Sequence, residues 1–113
     1  MSTTSLASAV EESLCPVVAT ARIVAGKWTL LLLRDLADGP RRFGELERSL
    51  EGISPHTLTM RLRSLEAEGI VGRREERGVP PRVDYALTDK GRDLVPIVDA
   101  MRDYGSRWPS ADC

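Results

Sequence analysis

The side chains that could do chemistry in this sequence are concentrated between positions 41 and 82, where arginines and small hydroxyl residues recur. Guanidinium groups bind phosphates and guanine edges through paired hydrogen bonds, and hydroxyls near a helix N-terminus bind backbone phosphates. The pattern therefore indicates binding to duplex DNA. The candidate contact residues are Ser54, His56, Thr57, Thr59, Met60, Arg61, Arg77, Arg82 and Arg42.

Catalytic and metal chemistry are not indicated by the residue types present. His56 is the only histidine, and neither of the two cysteines, Cys15 and Cys113, stands at a zinc-ligand spacing from it. The sequence has no glycine-rich phosphate loop and no nucleophile elbow. We therefore expect no metal, no cofactor and no enzymatic activity.

The central candidates need a helix to hold them, and residues 54–68 predict one. Ser54 is a favoured N-cap, and Pro55 suits the first helical position, where the missing N–H has no partner to lose. Gly69 ends the helix, because glycine readily takes a positive φ. Three leucines recur at i, i+4 and i+7 and therefore face a core. They are Leu58, Leu62 and Leu65.

The helix period divides the remaining side chains of this segment into a far side and two flanks. The far side carries His56, Met60, Arg63, Ser64 and Ala67, and the flanks carry Thr57, Thr59 and Arg61. Base contacts in helix-turn-helix proteins come from the N-terminal part of the second helix. This selects His56, Thr57, Met60 and Arg61 for base contacts and Ser54 for a phosphate.

The neighbouring segments predict the rest of a DNA-binding unit. A short helix over 44–50 and a tight turn at 51–53 precede the capped helix, which is the helix-turn-helix arrangement. Strands at 70–76 and 83–88 follow and enclose a stiff tip at 77–82, while residues 41–43 form a short third strand. Arg73 and Arg74 have Glu75, Glu76 or Asp84 as partners across the hairpin. The fold class is mainly α with a small β-hairpin, a winged helix-turn-helix.

Apolar helices flank this unit on both sides. Residues 6–14 predict a short helix, and Pro16 opens a long helix over 17–36, or two helices that meet at Gly26. Thr88 caps a final helix from Asp89 to about Trp108. Its apolar stripe exceeds what a small core requires and predicts a homodimer: Leu94, Ile97, Val98, Met101 and Tyr104. We expect one domain with dimerisation helices at 1–14 and 89–113 and a DNA-binding region at 15–88.

The charge of the chain leaves two function classes open. Net charge is −1, but residues 41–92 hold 11 basic against nine acidic side chains, while the outer segments are acidic. The first class is a sequence-specific DNA-binding regulator. The alternative is a winged helix that serves only as a protein-interaction or dimerisation module. The longest apolar run, near 28–33, is far shorter than the ~20 residues of a membrane span, and no signal peptide is evident, so we expect a cytoplasmic protein.

Five motifs in order resemble the HxlR-type regulators, bacterial winged-helix transcription factors related to the MarR type. They are C-P-V at 15–17, G-K-W-T at 26–29, R-R-F-G-E-L at 41–46, G-I-S-P-H-T-L-T-M-R-L-R-S-L-E at 52–66, and P-P-R-V-D-Y-A-L-T-D-K-G at 80–91. The resemblance implies a homodimer joined by the N-terminal and final helices, acting on a pseudo-palindromic operator as a repressor or a redox-responsive switch. Pro55 and His56 depart from many members, which puts the operator sequence in doubt and leaves the fold unaffected.

The resemblance also implies that Cys15 matches a cysteine that senses oxidants or electrophiles in some members. The residues around it agree, since Cys15 precedes Pro16 at a helix N-terminus, where a thiolate is favoured, and Arg22 and Lys27 follow. The alternatives are an inert, half-buried thiol, and a small-molecule ligand held near Trp28.

Overall fold

The computed structural model describes residues 15–109, so the predicted helix at 6–14 and Cys113 lie outside the described residues. In chain order the described elements are α1 (Pro16–Val24), α2 (Lys27–Leu36), α3 (Phe43–Ser49), α4 (Pro55–Ala67), β1 (Val71–Glu76), β2 (Arg82–Leu87), α5 (Asp89–Arg92) and α6 (Val95–Arg107).

The N-terminal helical segment is divided in two, so the prediction of a single helix is wrong and the alternative of a break at Gly26 is confirmed. Gly26 has a φ of +92°, a value that ends a right-handed helix and that glycine adopts without strain. The axes of α1 and α2 consequently differ by 85°. No residue of α1 is fully buried, whereas α2 contributes Leu32, Leu33 and Leu36 to the core.

Helices α3 and α4 form the predicted helix-turn-helix. Gly52 in the connecting turn has a φ of +91°, and the Ser54 hydroxyl accepts the Thr57 N–H at 3.0 Å, which confirms the N-cap. Gly69 ends α4 with a φ of +75°, and the Ile70 N–H donates to the Leu65 carbonyl at 2.9 Å, the bond that characterises a Schellman end. Leu58, Leu62 and Leu65 are all buried, as predicted.

Strands β1 and β2 form the antiparallel wing, with Val71 opposite Leu87 and Glu76 opposite Arg82. Arg41 joins β2 as a third partner, because its N–H and carbonyl bond to the carbonyl and N–H of Tyr85 at 2.9 and 2.8 Å. The third strand is therefore confirmed at Arg41 only. Phe43 instead begins α3, since the Glu45 carboxylate accepts the Arg42 N–H at 3.0 Å and caps the helix there.

The C-terminal segment forms two helices, so the prediction of one helix from Asp89 to Trp108 is wrong. Pro96 explains the break, because its ring would collide with the carbonyl four residues earlier and it has no N–H to donate. Thr88 caps only the short α5, accepting the Gly91 N–H at 3.1 Å and donating to the Gly69 carbonyl. The chain then restarts as α6, with Pro96 in its first turn.

One core joins these elements. The buried residues are Leu32, Leu33, Leu36, Leu46, Leu50, Ile53, Leu58, Leu62, Leu65, Ile70, Val71, Leu87 and Leu94. Helix α6 packs against α2 through Val95 and Val98, and the rest of its apolar stripe is exposed. Within residues 15–109 no single helix is long and apolar enough to span a membrane. Helices α1 and α2 reach that length and composition only when taken together across their bend.

Candidate nucleic-acid interface

The outer side of α4 presents a stripe of exposed side chains opposite its three buried leucines. His56, Met60 and Arg63 recur at i, i+4 and i+7 on this side, and all three are exposed. Met60 keeps 48% of its surface accessible although it is apolar. An imidazole, a thioether and a guanidinium in one row can contact base edges, a thymine methyl group and a guanine or phosphate in a groove.

The N-terminus of the same helix places Ser54 and Thr57 together. Ser54 Oγ accepts the Thr57 N–H, which forms the N-cap. It also donates to Thr57 Oγ1 at 2.9 Å, and this second bond holds the Ser54 side chain in the capping position. Ser54 is exposed and Thr57 is half-buried. The cap fixes the start of α4 and leaves Ser54 at the surface, which is where a phosphate contact requires it.

Two of the predicted contact residues lie away from the outer stripe. Thr59 is half-buried on one flank of α4. Arg61 is exposed on the other flank, where it lines a cleft of about 390 Å³ with Arg22, Ile23 and Thr29 of α1 and α2. The structure therefore turns Arg61 toward the N-terminal helices, while Arg63, two residues further along α4, lies on the outward side.

A second cluster of arginines lies between the start of α3 and the wing. Arg42, Arg48 and Arg82 line a cleft of about 500 Å³ together with Gly44 and Glu45. The Asp84 carboxylate lies 4.0 Å from Arg42 Nε and 3.5 Å from Arg82 Nε. Arg73 pairs with Glu75 at 3.0 Å, which confirms the predicted partner, but both residues lie on β1 and the pair does not cross the hairpin.

The wing tip exposes Arg77 and the apolar Val79 to solvent. Val79 is fully exposed, and Arg77 has no ion-pair partner among residues 15–109. A projecting tip with one cation and one apolar side chain has the chemistry of a minor-groove or backbone contact.

Cys15 is the N-cap residue of α1 and is half-buried. Its carbonyl accepts the Ala19 N–H at 2.9 Å, and its side chain makes no capping hydrogen bond. Further along, the Lys27 ammonium lies 4.8 Å from the centre of the Trp28 ring, a cation–π contact that leads from the bend into α2. Within residues 15–109, no group of three or more His, Cys, Asp or Glu side chains could hold a metal ion.

Arg48 and Arg63 complete the candidate surface and lie outside the set of contact residues predicted from the sequence. The helix period places Arg63 on the far side of α4, but the rule that base contacts come from the N-terminal part of the helix excludes it. Arg48 carries no local signal, because only the packing of α3 against β2 brings it to Arg42 and Arg82.

Together these elements define a winged helix-turn-helix protein, as predicted, with exposed arginines on the outer side of α4 and beside the wing. The family model described as HxlR-like helix-turn-helix matches residues 23–112, and the chain belongs to this family. Relatives named as uncharacterized HTH-type transcriptional regulators include sll1512 of Synechocystis sp., 44% identical over 95 residues, covering 84% of this chain and 70% of the relative. YybR of Bacillus subtilis is 45% identical over 91 residues, 80% of this chain and 73% of the relative.

Solved structures with this fold include the redox regulator HypR and the transcriptional regulator YodB. HypR in its oxidized form superposes with a TM-score of 0.81 at 42% identity, covering 86% of this chain and 100% of that chain. Its reduced form gives 0.79 at 43% identity, covering 82% and 92%. The diamide-treated YodB from B. subtilis gives 0.70 at 32% identity, covering 85% and 96%.

Proposed function

We propose that this DNA-binding transcriptional regulator acts as a homodimer on a pseudo-palindromic operator in the cytoplasm. The observation that carries the proposal is the outer stripe of α4, where His56, Met60 and Arg63 are exposed together on a helix whose other side is fully packed. In a two-fold dimer, two such helices would enter major grooves one or more helical turns apart, at steps of ~34 Å.

The arginine cleft supports the same function from a second place on the surface. Contacts to the phosphate backbone fix the register of a DNA-binding protein, and contacts to base edges then specify the sequence. Arg42, Arg48 and Arg82 supply the first kind of contact, and the outer stripe of α4 supplies the second. Sequence-specific binding needs both, and this chain carries both on elements that pack on one core.

The direct experiment selects bound sites from random duplexes and then titrates the recovered operator at increasing salt. We expect affinity to fall with a log–log slope of about −0.9 for each phosphate contacted. Arg63→Ala should weaken operator binding by ~1–3 kcal/mol and relax the preference at one position of the half-site, because a base contact is lost. Arg102→Ala on α6, which removes the same exposed charge beside Asp99, is the control and should leave binding unchanged.

A slope near zero, or no enrichment of any site, would instead favour the protein-interaction module. If Arg63→Ala and Arg102→Ala behave alike while the operator is still bound with a steep slope, the outer stripe is not the reading surface. Arg61→Ala would then be the next variant, because Arg61 lies on the flank that faces α1.

We further propose that the regulator responds to oxidants or electrophiles through Cys15. The position supports this, since Cys15 is the N-cap residue of α1, and Arg22 and Ile23 of α1 line the cleft beside α4. Diamide would take two electrons and two protons from two thiols, joining Cys15 to Cys113 of the partner subunit or to a low-molecular-weight thiol. A displaced α1 would then change the separation of the two recognition helices.

Cys15→Ser should make operator affinity insensitive to diamide or a quinone, because serine keeps the size of the side chain and cannot form a disulfide. Wild-type protein should change its affinity at least several-fold under the same treatment, and after diamide it should recover on reduction, because the disulfide is reducible. Affinity is measured by titration of a labelled operator before and after treatment. An equal response in both proteins, or none in either, would move the effector site elsewhere, with a small ligand in the cleft between α1 and α4 as the remaining candidate.

A further inference from the structure

A carboxylate lies within the basic surface where a DNA-binding protein gains nothing from negative charge. Asp84 of β2 lies 3.5 Å from Arg82 Nε on its own strand and 4.0 Å from Arg42 Nε at the start of α3. Arg74 stands directly opposite Asp84 across the wing. The Asp84 side chain is only 17% exposed, whereas those of Arg42 and Arg82 are 50% and 52% exposed. The carboxylate therefore lies beneath the arginines.

Both arginines have Nε nearest the same Asp84 oxygen, Oδ1. Arg82 donates a long hydrogen bond to it at 3.5 Å, whereas Arg42 lies at 4.0 Å and forms an ion pair only. A guanidinium has five N–H donors in a planar fork, so contact through Nε leaves the two terminal nitrogens for another acceptor. Within residues 15–109, the terminal nitrogens of Arg42 and Arg82 take part in no hydrogen bond or ion pair.

Asp84 lies beside this cleft and does not line it, and Glu45, the acid that does line it, is already engaged. The Glu45 carboxylate accepts the backbone N–H of Arg42 at 3.0 Å, which holds it at the start of α3. The remaining lining side chains are Arg42, Arg48 and Arg82, and the cleft of about 500 Å³ is open to solvent on a surface of exposed residues. An anion with several acceptor oxygens fits this arrangement.

We propose that Asp84 is a positioning residue that holds Arg42 and Arg82 as one binding site, with Arg48, for a single DNA backbone phosphate. The inference rests on the proposed DNA-binding function and assigns one of its phosphate contacts. The carboxylate restrains two long side chains from two different elements before DNA arrives. The entropy of ordering them is therefore lost on folding and not on binding.

The positioning role and simple charge repulsion predict opposite changes in DNA affinity when Asp84 is removed. A carboxylate near DNA repels phosphates, so a variant that loses it should bind more tightly if Asp84 has no positioning role. If Asp84 orients the arginines, the same variant should bind less tightly although the protein has become more positive. The sign of the change separates the two accounts.

The test compares Asp84→Asn with Glu76→Gln in operator titrations at several salt concentrations. Glu76 lies on the same face of the wing, opposite Arg82 in the register, and has no ion pair among the described residues. Both variants lose one negative charge. We expect Asp84→Asn to weaken binding roughly three- to tenfold on specific and scrambled duplexes alike, with the salt slope reduced by about one. Glu76→Gln should bind as tightly as wild type or more tightly, with an unchanged slope.

Arg82→Lys provides a second measurement that does not depend on how well Asp84→Asn folds. Lysine keeps the positive charge but has no Nε–H to hold against a carboxylate while its end binds phosphate. We expect Arg82→Lys to lose affinity several-fold in the wild-type background and to lose little further in the Asp84→Asn background. Arg82 is half exposed, so this variant should keep the wild-type melting temperature.

Two results would overturn the inference. One is Asp84→Asn binding as tightly as Glu76→Gln with the wild-type slope, and the other is Arg82→Lys binding like wild type. Failure of the proposed function is a different outcome, because wild-type protein would then bind no duplex with a salt-dependent slope. Asp84 is assigned no role in that case, and the two failures are told apart by the wild-type titration alone.

Discussion

Gly91→Ala is expected to destabilise the domain by roughly 3 kcal/mol, because the added methyl group overpacks against backbone atoms. A Cβ on Gly91 would lie 2.1 Å from the Ile70 carbonyl oxygen, far inside van der Waals contact. That oxygen cannot move aside freely, because it accepts the Thr88 N–H at 3.0 Å and also receives the Thr88 hydroxyl at 3.2 Å. Overpacking against fixed backbone costs ~1–3 kcal/mol or more.

Urea denaturation at one protein concentration measures this effect, and Gly44→Ala is the matched control. A Cβ on Gly44 meets only the flexible end of Arg48 at 3.5 Å, so alanine should be neutral or stabilise α3 by up to ~1 kcal/mol through its higher helix propensity. Equal midpoints for Gly91→Ala and wild type would mean that α5 can shift away from the start of β1 at no cost.

Met101→Asp is expected to abolish the proposed homodimer and to weaken binding to an operator with two half-sites by more than about 100-fold. The exposed part of the α6 stripe consists of Ile97, Met101, Tyr104 and Trp108, whose exposed fractions are 38%, 48%, 64% and 69%. Met101 lies at its centre. Burying an unpaired carboxylate there costs several kcal/mol or forces the subunits apart. A monomer then holds one half-site only and loses the linkage between the two.

Sedimentation velocity across micromolar concentrations gives the oligomeric state, and titrations of full and half operators give the affinity. Ser106→Asp introduces the same charge on the opposite side of α6, and we expect it to remain dimeric and to bind like wild type. A dimeric Met101→Asp protein would place the subunit contact outside the α6 stripe. Apart from the loss of the dimer contact, each Met101→Asp subunit should be as stable to heat as a wild-type subunit, because Met101 is not part of the buried core.

The fold was predictable mainly where single residues terminate an element. Ser54, Gly69 and Thr88 each end or begin a helix for a local reason, and each occupies that position in the structure. At the C-terminus two local signals disagree. The apolar period of the stripe predicts one helix, whereas Pro96 interrupts it through a steric clash. A proline inside a periodic apolar pattern is therefore the stronger of the two signals.

The candidate site was predictable within α4 and much less so between elements. The helix period separates the buried leucines from His56 and Met60 without any knowledge of the tertiary fold. It does not tell which flank faces α1, so the cleft that Arg61 lines there could not be foreseen, and its contact with DNA stays a prediction. The meeting of Arg42, Arg48 and Arg82 depends on α3 packing against β2, and no local pattern encodes that packing.

The pair of hydrogen bonds between Arg41 and Tyr85 has a consequence for how such a chain can diversify. These bonds join the residue before the helix-turn-helix to β2, the second strand of the wing that follows it. The two ends of the segment between Arg41 and Tyr85 are therefore held together. Substitutions on the outer side of α4 can then change the DNA sequence that is bound without changing the position of the segment relative to the core. A helix corresponding to α4 from a related protein, grafted between Arg41 and Tyr85, should therefore keep the same position.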